Sequence, residues 1–132
     1  MFGENTLAGQ YDYFADEKNR MFLPRKTGRE KGNVVYFCYD KDIEHYVIYS
    51  ELEILKKMDA FDEKIDSAKT VEELKQYKLM SLEFANSIIK KCSVDAAGRI
   101  VLPKEISGPT NIHMVGAGKC LILIPENQTK TK

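Results

Sequence analysis

The sequence predicts an α+β fold in which two β units flank a central αα-hairpin, and three observations predict it. The phrase DEKNRMFLP at residues 16–24 returns as DAAGRIVLP at 95–103. Each copy precedes a pair of short β-branched or aromatic runs. Between the copies, apolar residues recur at spacings of three and four, the period of an amphipathic helix rather than of a strand. A phrase that repeats in the same structural context, here at an offset of 79 positions from Asp16 to Asp95, marks a duplicated supersecondary unit.

The first unit spans residues 1–50. QYDYFA and MFLP flank the Asp16–Arg20 segment, so the segment reads as a tight turn between two strands. NVVYFCY at 33–39 and HYVIY at 45–49, separated by the turn residues of DKDIE, read as a hairpin. From Ser50 the period changes. Ser50 with Glu53 fits a capping box, and Leu52, Leu55, Met58, Phe61 and Ile65 predict a helix of about 16 residues. DSAKT breaks it. Thr70 with Glu73 opens a second helix whose stripe is Val71, Leu74, Lys78, Leu82, Ala85 and Ile89. These two stripes serve either as intramolecular core or as an interface between subunits. The helical hairpin thus occupies 51–89, and the second β unit, 90–132, repeats the first with IIKKCSV, the DAAGR turn, IVLP, then NIHMV at 111–115 and CLILI at 120–124 joined by GAGK.

Neither half has enough strands to bury both faces of a sheet, and its edges would be open. Packing the halves together is expected to close a pseudo-symmetric barrel against which the helical hairpin lies, as one compact unit.

Composition narrows the function. Twenty basic and twenty acidic groups give a net charge of zero, against the usual basic footprint of a nucleic-acid binder. The distribution is uneven: residues 1–50 hold 7 basic and 8 acidic groups, 51–87 hold 6 and 9, and 88–132 hold 7 and 3. No apolar run reaches the length of a membrane span and the first residues carry no signal-peptide pattern, so a cytoplasmic protein is expected, with no membrane partner. Cys38, Cys92 and Cys120 form no Cys-x-x-Cys pair, and with His45 and His113 they show no zinc-ligand spacing. No metal or other cofactor is expected. GAGKC lacks the second half of a phosphate-cradling loop and reads as a hairpin turn. Nothing pairs a nucleophile with a base, so no catalytic residue, enzymatic activity or small-molecule substrate is expected.

The repeated turn carries the chemistry. An Asp four residues before an Arg can hold the guanidinium in a bidentate fork across the turn. A guanidinium fixed in advance loses less entropy on meeting a phosphate or the O6/N7 edge of guanine. Asp16 and Arg20 form one such pair, Asp95 and Arg99 the other. Lys18, Arg25, Lys26, Lys90, Lys91 and Lys104 are near enough in sequence to bind phosphates. The competing reading is a surface bridge of little energetic weight. Duplication favours the functional one, because a plain turn does not need Arg in both copies.

The MFG start, D.K.R..LP near residue 16, two central helices and D..GR...P followed by HMVGAGKCLILI resemble the MraZ family across residues 1 to about 126. That family consists of bacterial regulators built from two swapped-hairpin units of the AbrB and MazE type. The resemblance implies a double swapped-hairpin fold in which Asp16, Arg20, Asp95 and Arg99 contact double-stranded DNA. It further implies a ring-like homo-oligomer, nucleoid-associated, that binds guanine-rich direct repeats upstream of the division and cell-wall genes and represses them. The sequence departs from the family pattern at Asn19, where Gly is usual, and at Ala96 and Ala97, which remove possible phosphate contacts. Two other readings compete: a protein–protein interaction module that kept the fold without DNA binding, and another AbrB-type regulator with a different operator.

Overall fold

The computed structural model describes residues 9–24, 31–106 and 108–126. Eight strands and two helices follow in the order β1 (Gln10–Ala15), β2 (Arg20–Phe22), β3 (Val34–Asp40), β4 (His45–Ser50), α1 (Glu51–Asp66), α2 (Val71–Ser87), β5 (Ile88–Ser93), β6 (Arg99–Val101), β7 (Thr110–Ala117) and β8 (Cys120–Pro125). The α+β class is as the periodicity predicts. Ile89, expected in the second helical stripe, is instead the second residue of β5.

Six strands form one antiparallel sheet in the order β1-β7-β8-β4-β3-β5, and β2 pairs with β6 in a separate two-stranded ladder. Exchanging each strand for its copy in the other unit turns the six-strand order into its own reverse. The duplication in the sequence is therefore a two-fold relation in space. The first strand of each unit lies in the other unit: β1 pairs with β7, and β5 pairs with β3. Each unit's hydrogen-bonding groups are thus completed by the other.

The expected barrel is not formed. The sheet stays open, with β1 and β5 as its edges. Closure needs those edges to pair with each other or with a strand that bridges them, whereas β2 and β6, three residues each, pair only with one another.

The ladder covers one face of the sheet instead. Met21, Leu23, Ile100 and Leu102 interleave with Val35, Phe37, Ile48, Ile112, Met114, Leu121 and Leu123, all at most 1% exposed. The helical hairpin covers part of the opposite face, where Cys38, Val47 and Ile54 are buried among Tyr36, Tyr49, Phe84, Ile88, Cys120 and Ile122. Strict alternation along β3 (Val35 and Phe37 one way, Tyr36 and Cys38 the other) assigns the two faces. Three layers result: ladder, sheet, helices.

Both helices begin where the caps predict. Ser50 Oγ accepts from the Glu53 amide at 3.1 Å, and Thr70 Oγ1 from the Glu73 amide at 3.0 Å. The reciprocal half of the box is displaced in α2, where Glu73 Oε1 accepts from the Lys69 amide at 2.9 Å. The apolar stripes do not mark the buried faces. Leu52, Leu55 and Met58 of α1 and Val71 and Leu82 of α2 are exposed, while Ile54 is buried and Phe61 and Phe84 pack with rings 5.9 Å apart. A two-helix layer touches the sheet along a narrow seam, so a stripe wide enough for two contacts leaves half of itself outside. Among the described residues, no helix is long and apolar enough to cross a membrane.

Candidate nucleic-acid interface

Both Asp-x-x-x-Arg loops adopt one geometry. In the first, Asp16 Oδ1 accepts from the amides of Lys18 at 2.9 Å and Arg20 at 2.8 Å, and Oδ2 accepts from Arg20 Nε at 2.9 Å. In the second, Asp95 Oδ1 accepts from the amides of Ala97 at 2.9 Å and Arg99 at 2.8 Å, and Oδ2 from Arg99 Nε at 3.0 Å. The backbone closes each turn in the same way, Asp16 N to Arg20 O at 3.0 Å and Asp95 N to Arg99 O at 2.9 Å. One carboxylate thereby organises both the turn and the cation, as an Asx turn extended to a side chain.

The amides that define the turn also tune the acid. The Arg20 backbone N–H is the largest influence holding the Asp16 carboxyl below its ordinary range, and the Arg99 backbone N–H does the same for Asp95. Both carboxylates are therefore ionised at neutral pH, the state that accepts three donors.

The bidentate fork expected within each pair is not what forms. Only Nε meets the carboxylate, because the second carboxylate oxygen is occupied by two amides. The terminal guanidinium nitrogens of Arg20 and Arg99 make no hydrogen bond among the described residues. Each guanidinium is held at one edge and leaves its other edge available for a ligand.

The ladder brings the two pairs together. Its register is Arg20 opposite Val101, Met21 opposite Ile100 and Phe22 opposite Arg99. Met21 and Ile100, equivalent residues of the two copies, face each other on the local two-fold and point into the core. Arg20, Phe22, Arg99 and Val101 then share the outward face, because alternate residues of a strand point to one side. The arginine Cα atoms sit at diagonal corners, about 8 Å apart from ~3.3 Å per residue along the strand and ~4.8 Å across. The loops also brace each other: Leu23 N donates to Gly98 O at 3.2 Å, and Leu102 N to Asn19 O at 2.7 Å.

Asn19 takes the place of glycine without changing the turn. It has φ 59°, and Gly98, its counterpart, has φ 87°. Asn enters this region at less cost than other side chains, and here its amide has a further use. Asn19 Nδ2 donates to Ile106 O at 3.0 Å, and Oδ1 accepts from Gly108 N at 2.6 Å. The first loop is thereby fastened to Ile106 and Gly108 of the second unit. Gly108 is required there, since a Cβ would run into the Asp16 carbonyl and lie 2.8 Å from Asn19 Oδ1.

Of the basic residues expected near the loops, Lys18, Lys90 and Lys104 line one shallow depression beside Asn19 and Glu17. Lys90 Nζ donates to Val101 O at 3.0 Å and so is committed partly to the ladder. Lys91 lies over the Tyr36 ring, 5.9 Å from its centre. Arg25 and Lys26 fall outside the described residues. Ala97, the counterpart of Lys18, leaves the second loop without that cation.

Phe22 and Val101, each two positions after its arginine in RMFL and RIVL, share the outward ladder face and are 40% and 42% exposed.

Among the described residues, no group of three His, Cys, Asp or Glu side chains could hold a metal ion, and all three cysteines are free thiols. Burial pushes the Cys38 thiol up to about 11 and raises that of Cys120, which makes them poor nucleophiles. The chain matches no protein-family model, and no curated protein is similar enough to match it.

Proposed function

We propose that the chain is a non-enzymatic, sequence-specific DNA-binding regulator that reads guanine-containing direct repeats through Arg20 and Arg99. The observation that carries this reading is the pair of Asp-braced guanidiniums on one outward ladder face, each with an unused hydrogen-bonding edge. A two-stranded ribbon fits the major groove of B-DNA, and Arg bound two-fold to guanine O6 and N7 is the commonest specific contact there. Lys18 and Lys104 are suited to the flanking phosphates, which position a protein without informing it of sequence. The exchange of first strands between the units supports the double swapped-hairpin relationship implied by the resemblance to the MraZ family. By that resemblance the regulated genes are those of division and the cell wall, the effect is repression, and the working form is a ring of identical subunits. Multiple loops presented together raise effective concentration, which compensates for a chain of zero net charge.

The test is fluorescence anisotropy on duplexes carrying guanine-containing direct repeats, at salt between about 50 and 200 mM. Arg99→Ala is expected to weaken binding by roughly 5- to 150-fold, the worth of one bidentate base contact. Wild-type protein that retains no duplex from a random-sequence library at the low-salt end overturns the proposal. The interaction-module reading then gains, favoured by Leu55, Val71, Leu79 and Leu82, each more than half exposed on the helices.

A further inference from the structure

The helical hairpin does not seal its face of the sheet. Between α1, α2 and the turn end of the β3–β4 hairpin it leaves a cavity of about 260 Å³, on the side of the sheet opposite the ladder. Its walls are aromatic: Tyr49, Phe61 and Phe84 line it, with the Tyr49 and Phe84 rings 6.3 Å apart edge to face and the Phe61 and Phe84 rings 5.9 Å apart. Cys38 and Val47, each at most 2% exposed, complete the apolar lining. The polar lining is acidic, with Asp40, Asp42 and Glu83 set against one cation, Lys41. Lys41 Nζ meets Glu83 Oε2 at 3.4 Å, but the two side chains are 74% and 59% exposed. An ion pair so exposed contributes little, so Glu83 can exchange Lys41 for another cation. The rings already attract one ammonium of the chain itself: Lys57 Nζ stands 5.1 Å from the centre of Tyr49 and 6.0 Å from that of Phe84, within cation–π range. Burial raises the Cys38 thiol to about 11 and raises the Tyr49 phenol, and the Asp40 carboxylate adds to both. The negative field of the acids therefore reaches the aromatic wall.

We infer that this cavity binds a small organic ammonium ion, with its carbon groups against Tyr49, Phe61 and Phe84 and its charge offset by Asp40, Asp42 and Glu83. The inference stands apart from the DNA-binding reading and does not need it. Ring faces carry partial negative charge and favour a cation with an apolar coat, of which a quaternary ammonium is the standard ligand. A neutral apolar molecule would use the rings and leave three carboxylates without a counter-charge. An anion would meet those carboxylates directly. A bare metal ion would have no use for the rings, and no group of three ligating side chains is placed for one among the described residues. The volume lies below the roughly 300–1,000 Å³ of sites for drug-sized ligands, so the occupant is a head group of few heavy atoms. Because the cavity and the ladder are on opposite faces of the sheet, an ammonium and a duplex can be bound together.

The experiment titrates choline, and separately its uncharged isostere 3,3-dimethylbutanol, into the full chain isotopically labelled at the methionine methyls. The two probes share a shape and differ in charge, since carbon replaces the quaternary nitrogen. Met80 lines the cavity, whereas Met58, of similar exposure, does not, so the Met58 methyl reports non-specific effects. Choline is expected to move the Met80 signal saturably with a Kd on the order of 1 mM and to leave Met58 in place. Its affinity is expected to exceed that of the isostere by roughly 5- to 30-fold, the worth of a cation–π contact. Glu83→Gln and Phe84→Leu are each expected to reduce that preference. Equal affinity for the two probes overturns the inference, as does parallel movement of Met58 and Met80, or a Met80 signal unmoved by choline up to ~50 mM. The comparison of probes needs only wild-type protein, so it decides the question even if Phe84→Leu disturbs the packing of the helices.

Discussion

Replacing Asn19 by glycine sets two physical effects against each other, and the structure decides the sign. Glycine is the residue that a left-handed turn position ordinarily prefers, and Asn19 sits at φ 59°. From backbone preference alone, Asn19→Gly should be neutral or stabilising by up to about 1 kcal/mol. Against this, the substitution deletes Asn19 Nδ2 to Ile106 O and Gly108 N to Asn19 Oδ1. Two part-buried hydrogen bonds contribute roughly 1 kcal/mol each, and backbone groups stripped of partners cost more where water cannot reach them. The net expectation is destabilisation of about 1 kcal/mol. Asn19→Ala loses the same two bonds and keeps a left-handed penalty, so about 3 kcal/mol is expected. For a chain of this size unfolding entropy of ~2.1 cal/mol/K per residue converts these into Tm decreases of about 4 °C and about 11 °C. Differential scanning calorimetry measures both. A Tm for Asn19→Gly equal to or above that of the wild type refutes this, for it means that the clamp on Ile106 and Gly108 contributes less than the backbone conformation costs.

Two further expectations concern the loop acids and the helices. Asp16 and Asp95 have folded-state pKa values below the 3.8 of the free side chain, so their contribution to stability is present above that value and is lost as pH falls through the lower, folded values. Carboxyl carbon shifts followed by NMR should show both titrating below 3.8; a midpoint at or above it removes the loop geometry described. On the helices, Leu79 and Leu82 are 59% and 55% exposed on one side of α2, and a double substitution to glutamate is expected to lower the mass found by light scattering. Wild-type protein that is already monomeric at micromolar concentration excludes the ring.

The strands and helices were largely legible because their signals are local. NVVYFCY and CLILI carry β-branched and aromatic residues, and Ser50 and Thr70 announce the helices through caps that need only a neighbouring amide. The Asp-x-x-x-Arg loops were legible as well, since carboxylate, amides and guanidinium lie within five residues of each other. What was not legible depends on partners distant in sequence. That β1 crosses to β7 rather than remaining in its own unit, and that the sheet stops short of a barrel, are decided by strand pairing across about 100 residues. The Asn19 clamp joins residues 87 and 89 positions apart. The helical stripes misled for a different reason: apolar periodicity reports that a face avoids water but not which neighbour covers it.

Charge placement lessens the conflict between zero net charge and the proposed polyanionic partner. The segment 51–87 holds nine acidic groups against six basic, and its helices pack on the sheet face turned away from the ladder. Fields from exposed charges decay over about 8–10 Å at physiological salt, and stacked layers lie about 10 Å apart. Acids on the far side of the sheet are therefore more than one screening length from a duplex at the ladder, while Arg20, Arg99, Lys18, Lys90 and Lys104 are within it together with the acids Asp16, Asp95 and Glu17, a local balance of five basic to three acidic groups. A duplex would meet the local charge of this face rather than the sum over the chain. Moving the acids to the near side should then matter far more than adding them to the helices. Val101→Glu, set opposite Arg20 in the ladder, is expected to weaken DNA binding much more than Leu79→Glu on α2, although both change the net charge by the same amount.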